Sequence, residues 1–310
     1  MTSTAAIETF GNYQLLRKIG QGGMAEVFLA RAHNAPPDAP PIVIKRLHTE
    51  LEKNRDVVDL FLTEADVTLM LSHPNVIRVF DSGEAAGRYY MAMEYVQGRD
   101  LEQLSDRLFG KHLAMHPAIA MHIMGEVLRG LDYVHRAKTP SGRELGIVHR
   151  DVTPSNVYVS VTGAVKLGDF GVAKLVGFEG WTMAGSIKGK LGYLSPEQVG
   201  GQSPTQSIDL WAAALILFEL VAGSRVFVGE NELDVMLRIR SAKVPSLRKI
   251  NKAAPKSLQK VLERALHKKE RKRFPTAGDM LAALDQVRLK EGYEPVTPQG
   301  LVGYLTQTLA

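Results

Sequence analysis

The turn Gly20-Gln21-Gly22-Gly23-Met24-Ala25-Glu26-Val27 lies between two strand-like runs. Lacking Cβ atoms, Gly20 and Gly22 let a backbone approach a phosphate closely and offer it N–H donors. A glycine turn alone marks many hairpins. A dinucleotide fold would follow it with a helix, whereas Val27-Phe28-Leu29 reads as strand. Lys45 adds meaning, because it closes the apolar run Ile42-Val43-Ile44 and brings a cation. The helical segment beyond it carries Glu64 on a face with Phe61 and Leu71, where an ion pair with Lys45 is geometrically possible. Together these residue types suit the handling of phosphate.

A second group of motifs follows: Val148-His149-Arg150-Asp151-Val152-Thr153-Pro154-Ser155-Asn156, then Lys166-Leu167-Gly168-Asp169-Phe170-Gly171, then Leu194-Ser195-Pro196-Glu197. In this order and spacing, over about Tyr13 to Val287, the sequence resembles the eukaryotic-like protein kinases. The bacterial serine/threonine branch is the nearest match, through Gly22-Gly23-Met24 and the run Tyr193 to Gln198. The resemblance implies an α+β, two-lobed fold and a cofactor pair of ATP and Mg²⁺. It assigns residues 13–96 to a small β-rich lobe with one helix and 97–290 to a larger, mainly helical lobe. Residues 1–12 and 291–310 are left as tails.

The same resemblance implies roles. Ile19, Gly20, Gln21, Gly22, Gly23, Met24, Ala25, Glu26 and Val27 would cover the ATP phosphates. Lys45, paired with Glu64, would neutralise the α- and β-phosphates. Glu94 and Val96 would hold adenine through backbone groups, with Met93 behind it. Asp151 would accept or orient the proton of the substrate hydroxyl, and Asn156 and Asp169 would give oxygen ligands to Mg²⁺. Glu197 with Arg273 and Asp209 beneath the catalytic loop would be structural, and His149 a packed core residue rather than a base.

Three departures and one regulatory feature stand out. Ala25 replaces a third glycine. Thr153 stands where the serine/threonine branch has lysine, and Lys190 stands where that lysine's threonine partner belongs. The two look exchanged, so Lys190 is expected to restore the missing charge. Arg150 is expected to pair with a phosphorylated Thr182 or Ser186. Protein Ser/Thr hydroxyls are the expected acceptors, Pro154 favouring them over Tyr. The alternatives are a pseudokinase that binds ATP or serves as a non-catalytic docking module, which Thr153 favours, and a small-molecule kinase.

The elements that must position these residues fall into two regimes. Tyr13 to Ile19, Glu26 to Arg31, Ile42 to Ile44, Val76 to Phe80 and Tyr89 to Val96 read as strands, interrupted by a helical period over Val57 to Leu71. Beyond Gly98 helices dominate: Pro117 to Val134, Ser207 to Ala222, Leu233 to Ser241, Ser257 to His267 and Ala277 to Val287. Val157 to Val159 and Ala164 to Leu167 form a short strand pair. Thr297-Pro298 reads as a helix start leading through Leu301, Tyr304, Leu305 and Leu309.

With 310 residues, 45% hydrophobic and 23% charged, the composition is that of an ordinary globular chain. It has no cysteine, which excludes disulfides, thiolate metal sites and a cysteine nucleophile. The start lacks a signal-peptide pattern, and Leu210 to Ala222 is too short and carries Glu219, so a cytoplasmic chain without membrane insertion is expected. The net charge of +5 conceals fourteen Lys or Arg against two acids, Glu263 and Glu270, between Arg238 and Arg273. That segment could dock an acidic partner. It lacks the interleaved aromatics of a single-strand nucleic-acid platform, so no nucleic acid is expected.

Overall fold

The computed structural model describes residues 8–36, 38–139, 141–170 and 191–309. These divide into two compact units, 8–96 with Phe170, and 97–169 with 191–309. Lys190, Thr182 and Ser186 lie outside the described residues.

The first unit is a six-stranded antiparallel sheet carrying one helix. Its elements are β1 (Glu8–Phe10), β2 (Tyr13–Gln21), β3 (Ala25–Ala32), β4 (Ile42–Leu47), α1 (Arg55–Leu69), β5 (Val79–Ala85) and β6 (Arg88–Glu94). The strand order is β1-β2-β3-β4-β6-β5. Because side chains alternate across a strand, the sheet has two working faces. Phe10, Leu15, Phe28, Ile44 and Tyr90 form a core on one. Leu47 and Met91 pack with Val57, Phe61 and Ala65 of α1 on the other, where burying Phe61 alone contributes about 1.5–3 kcal/mol. Lys45 therefore shares its face with Leu47, toward α1. Asn54 caps α1, accepting from the N–H of Asp56 at 3.1 Å and of Val57 at 3.4 Å, a contribution of about 1 kcal/mol.

Two polar ties hold this sheet. Tyr13 and Tyr90 donate their hydroxyls to one oxygen of Asp81, at 2.6 and 2.8 Å. Burial and the nearby carboxylate push the Tyr90 phenol up to about 12 and the Tyr13 phenol higher still. On the outer face Arg46 lies over the rings of Phe10 and Phe28 and binds Glu8 at 2.7 Å. Residues 1–12, expected as a tail, thus contribute a paired strand. The strand expected over Val76–Phe80 begins instead at Val79. Val76 closes a turn onto the His73 carbonyl, while pairing with β6 carries β5 through Gly83 despite its low strand propensity.

The second unit contains β7 (Gly98–Asp100), α2 (Leu101–Gly110), α3 (Pro117–His135), β8 (Val157–Ser160), β9 (Val165–Leu167), α4 (Pro196–Val199) and α5 (Ser207–Ala222). It continues with α6 (Glu232–Ser241), α7 (Leu247–Ile250), α8 (Lys256–Ala265), α9 (Ala277–Lys290) and α10 (Pro298–Leu309). Helix α5 is apolar on every side and is buried from Ile208 through Val221, making it the central helix of this unit. Among the described residues no helix is long and apolar enough to cross a membrane. The last helix packs against this core: Leu301 is fully buried, and Thr297 caps the helix by accepting from Gly300 N–H at 3.0 Å. Gly163 sits at φ +85° against the Pro298 backbone, where any Cβ would collide. The expected α+β class, a β-rich unit with one helix and a larger helical unit, is what the structure shows.

Candidate active site

In the first unit the glycine turn is the tip of the β2–β3 hairpin. Gly20 pairs with Val27 and Gln21 with Glu26, while a register shift between Lys18 and Gly20 leaves Ile19 in a bulge. Gly22 N–H closes the tip onto the Ala25 carbonyl at 2.8 Å. An added Cβ at Gly23 would meet nothing within 4 Å, and at Gly22 only that carbonyl oxygen, at 3.8 Å. Neither glycine has a positive φ. The chain's own packing therefore does not call for glycine at these positions. Their bare backbone leaves the room a phosphate chain needs, so the turn fits ATP. Ala25 is buried as the first residue of β3, where a methyl group packs rather than obstructs.

The base of the hairpin is clasped by Lys18, which donates to Gln21 at 2.7 Å and to Glu26 at 2.8 Å. Lys18 above all holds the Glu26 carboxyl below its usual range, against an upward push from burial and with a smaller downward pull from Arg46. Lys45, opposite Val27 in the β3–β4 register, reaches Glu64 of α1 at 3.0 Å. Only 17% of the Lys45 side chain and 9% of the Glu64 side chain are exposed, so water screens this pair weakly. Glu94 spends its N–H on the Arg78 carbonyl at 2.8 Å. Of the two residues that the resemblance places at adenine, this leaves the Val96 N–H as the candidate donor. Met93 packs into the α1-side core.

In the second unit Asp209, 1% exposed in the first turn of α5, organises the loop His149 to Asn156. Its two carboxylate oxygens accept the N–H groups of His149 and Arg150, each at 2.8 Å, and one of them also meets His135 Nε2 at 2.8 Å. Arg150 is thereby held at φ +66°, a conformation that costs a non-glycine residue roughly 1–2 kcal/mol. His149 is fully buried and its Nδ1 accepts Asp151 N–H at 3.3 Å. Burial depresses its basicity, so it stays neutral and packed.

Beyond Asp151, Pro154–Asn156 form a short 3₁₀ turn. It places Asn156 so that Nδ2 donates to the Asp151 carbonyl at 2.8 Å, the Asp151 carboxylate at 2.9 Å and, more weakly, the Asp169 carbonyl at 3.5 Å. Gly168 N–H returns to Asn156 O at 2.9 Å, and Asp169 sits at φ +51°. Asp151, Asn156 and Asp169 are thus gathered in one place. With its nitrogen committed, Asn156 offers Oδ1 beside the Asp151 carboxylate and the Asp169 backbone, and these residue types supply the hard oxygens that fit Mg²⁺. Among the described residues no group of three His, Cys, Asp or Glu could hold a metal alone. The set would be completed by other oxygen donors, as Mg²⁺ sites with substrate phosphates are. Thr153 is buried, its hydroxyl 3.0 Å from Ser155 Oγ.

Two buried ion clusters support the helical unit. Arg273 grips Glu197 through both nitrogens at 2.6 and 2.7 Å, donates to His267 O at 2.9 Å and lies over the Trp211 ring. Burial pushes the Glu197 carboxyl up, but Arg273 outweighs it and leaves the group below its usual range. The second cluster was not foreseen from sequence. Tyr193 donates to Glu219 at 2.7 Å, and Arg225 contacts both Tyr193 and Glu219. A glutamate inside the otherwise apolar run of α5 was the available signal.

The protein kinase domain family model matches residues 13–283. Among curated proteins, the tyrosine-protein kinase MasK of Myxococcus xanthus is 35% identical over 280 residues, covering 90% of this chain and 43% of that protein. The serine/threonine-protein kinase PrkC of Bacillus subtilis is 33% identical over 285 residues, covering 91% and 42%. This chain thus spans less than half the length of these relatives. The PknI kinase domain of Mycobacterium tuberculosis superposes with a TM-score of 0.67 at 26% identity, covering 92% of this chain and 99% of that one. Shared motifs, fold and relatives converge: the chain belongs to the protein kinase domain family, among eukaryotic-like kinases of bacteria.

Proposed function

We propose that the chain transfers the γ-phosphoryl group of ATP to Ser or Thr hydroxyls of proteins. The observation that carries this reading is the hydrogen bonding of Asn156 to both Asp151 and Asp169. Asp151 would orient the attacking hydroxyl and take its proton, a contribution of about 10²–10⁴-fold. Lys45, held by Glu64, would draw charge from the α- and β-phosphates. Asn156 and Asp169 would hold Mg²⁺, which when bound neutralises charge developing on the phosphate oxygens. Incubation with γ-labelled ATP and Mg²⁺, followed by phosphoamino-acid analysis, tests the assignment. Phosphoserine or phosphothreonine is expected. Phosphotyrosine alone would reassign the acceptor, as the name of the Myxococcus relative makes worth checking. ATP binding without transfer would favour the pseudokinase reading, against which the formed Lys45–Glu64 pair speaks.

Two further parts belong to the same proposal. Arg150, whose backbone N–H is held by Asp209, would pair with phosphorylated Thr182 or Ser186. Phosphopeptide mapping of an active preparation that finds neither modified would remove that switch. The segment 238–273 is proposed to dock an acidic protein partner. Lys268, Lys269 and Lys272 are exposed, whereas Arg273 in the same run is buried. Reversing those three lysines to glutamate should abolish binding of an acidic partner while leaving a short peptide substrate phosphorylated as before. Retained binding would dismiss the dock. A cytoplasmic location, where ATP and Mg²⁺ are available, accompanies this reading.

A further inference from the structure

His48 is the first residue after β4, and nothing in the chemistry above uses it. Its backbone extends the β3–β4 ladder by one step, donating N–H to the Met24 carbonyl at 2.8 Å. Its ring then turns toward the hairpin tip and puts Nε2 2.9 Å from the Gly22 carbonyl oxygen. A carbonyl oxygen only accepts, so Nε2 must carry the hydrogen. The carbonyl of His48 accepts Leu51 N–H at 2.9 Å, and Leu51 in turn accepts Asn54 N–H at 3.0 Å. The ring is therefore mounted on a hydrogen-bonded connection that runs from Lys45 to the cap of the Glu64 helix.

The consequence concerns one peptide plane. In a trans peptide the C=O of one residue and the N–H of the next point in opposite directions. With the Gly22 carbonyl held by His48, the Gly23 N–H is aimed to the other side of that plane. Among the described hydrogen bonds it takes no partner in the chain. Neither Gly22 nor Gly23 has a side chain to fix this plane, an added Cβ would meet at most the Ala25 carbonyl oxygen, and glycine pairs are conformationally permissive. The Lys18 clasp ties the two strands at the base of the hairpin, below the tip.

We propose that His48 is a positioning residue for the nucleotide phosphates: its Nε2–H holds the Gly22 carbonyl and so presents the Gly23 N–H to the phosphate chain. This rests on the kinase reading of the glycine turn. The structure assigns the effect to phosphate recognition, not to adenine recognition or to folding.

The test compares binding of Mg·ATP and of adenosine to the purified chain by calorimetry, for the wild type, His48→Ala and His48→Gln. The glutamine amide carries a donor at a similar reach. His48→Ala should weaken Mg·ATP about threefold to tenfold, the size of one lost hydrogen bond, with adenosine affinity and melting temperature unchanged. His48→Gln should recover most of the loss. Equal weakening of both ligands, no weakening, or a His48→Gln variant as poor as His48→Ala would overturn the assignment. A wild-type chain that binds adenosine as tightly as Mg·ATP would instead overturn the phosphate-binding role of the turn itself, and His48 with it.

Discussion

Asn156 donates its side-chain amide to both the backbone carbonyl and the carboxylate of Asp151, five residues earlier, at 2.8 and 2.9 Å. This relationship fixes which end of the amide faces the aspartate, and so makes the remaining oxygen the one that can meet a cation. It also ties the proposed proton acceptor to a proposed metal ligand. Asn156→Ala should therefore lower kcat by about 10²-fold or more and raise the Mg²⁺ concentration giving half-maximal rate. Magnesium titrations of the initial rate check this. A variant with reduced kcat but an unchanged Mg²⁺ requirement would restrict Asn156 to supporting Asp151.

Lys45 and Glu64 meet at 3.0 Å in a sheltered setting. Lys45→Met removes the phosphate-facing cation and leaves a buried carboxylate without this partner. Phosphotransfer should fall by about 10²-fold or more. Glu64→Gln keeps the shape and a hydrogen bond, and should cost less, chiefly as a higher KM for ATP. Steady-state rates across ATP concentration separate the two. Equal losses in both variants would mean that Glu64 does more than hold Lys45.

Glu197 and Arg273 make a paired, largely buried contact in which burial is outweighed by Arg273 and the carboxyl's pKa is lowered in the fold. A group depressed in this way stabilises the fold above the ordinary carboxylate range, and the contribution is lost as pH falls through the lowered folded value. Arg273→Ala should cost about 3–5 kcal/mol near neutrality. The gap from the wild type should narrow on acidification. Urea unfolding at a series of pH values reads both. A small gap, constant with pH, would show that the pair contributes little.

Thr153 is buried and its hydroxyl is engaged with Ser155 Oγ, so it supplies no positive charge where the family's lysine would stand. If Lys190 restores that charge, Lys190→Ala should cut phosphotransfer by about 10²-fold. The double variant Thr153→Lys, Lys190→Thr, which returns the usual arrangement, should regain much of it. Full activity in Lys190→Ala would sink the exchange.

The parts read from sequence share a physical property: their signal is local. The periodicity of α1, α3 and α5 and the N-cap at Thr297 are written in neighbouring residues. The kinase motifs are short strings whose order survives without any knowledge of packing. What escaped depends on distant partners. Strand β7 and helix α2 are short, and only Asp100 at the cap with Leu101, Leu104 and Leu108 marks them. The start of β5 is set by its pairing with β6. The Tyr193–Glu219–Arg225 cluster brings residues together across α5, and His48 gains its interest only when the ladder is seen to place it over Gly22. Asp209 beneath the loop and Arg273 on Glu197 were expected from the family pattern, and the hydrogen bonds bear both out.

Asp151, on the loop that Asp209 holds through His149 and Arg150 and joined to Asn156, is proposed to serve phosphotransfer in a working kinase. The most direct test of this role is single-turnover transfer from γ-labelled ATP, with Mg²⁺, to a protein acceptor by the wild type and by Asp151→Asn, with ATP affinity measured in parallel. Label on the acceptor is expected with the wild type, with a loss of at least about 10²-fold in the variant and ATP affinity of the variant within about twofold of the wild type. Equal transfer by the two proteins, or ATP bound by the wild type with no transfer at all, would contradict it.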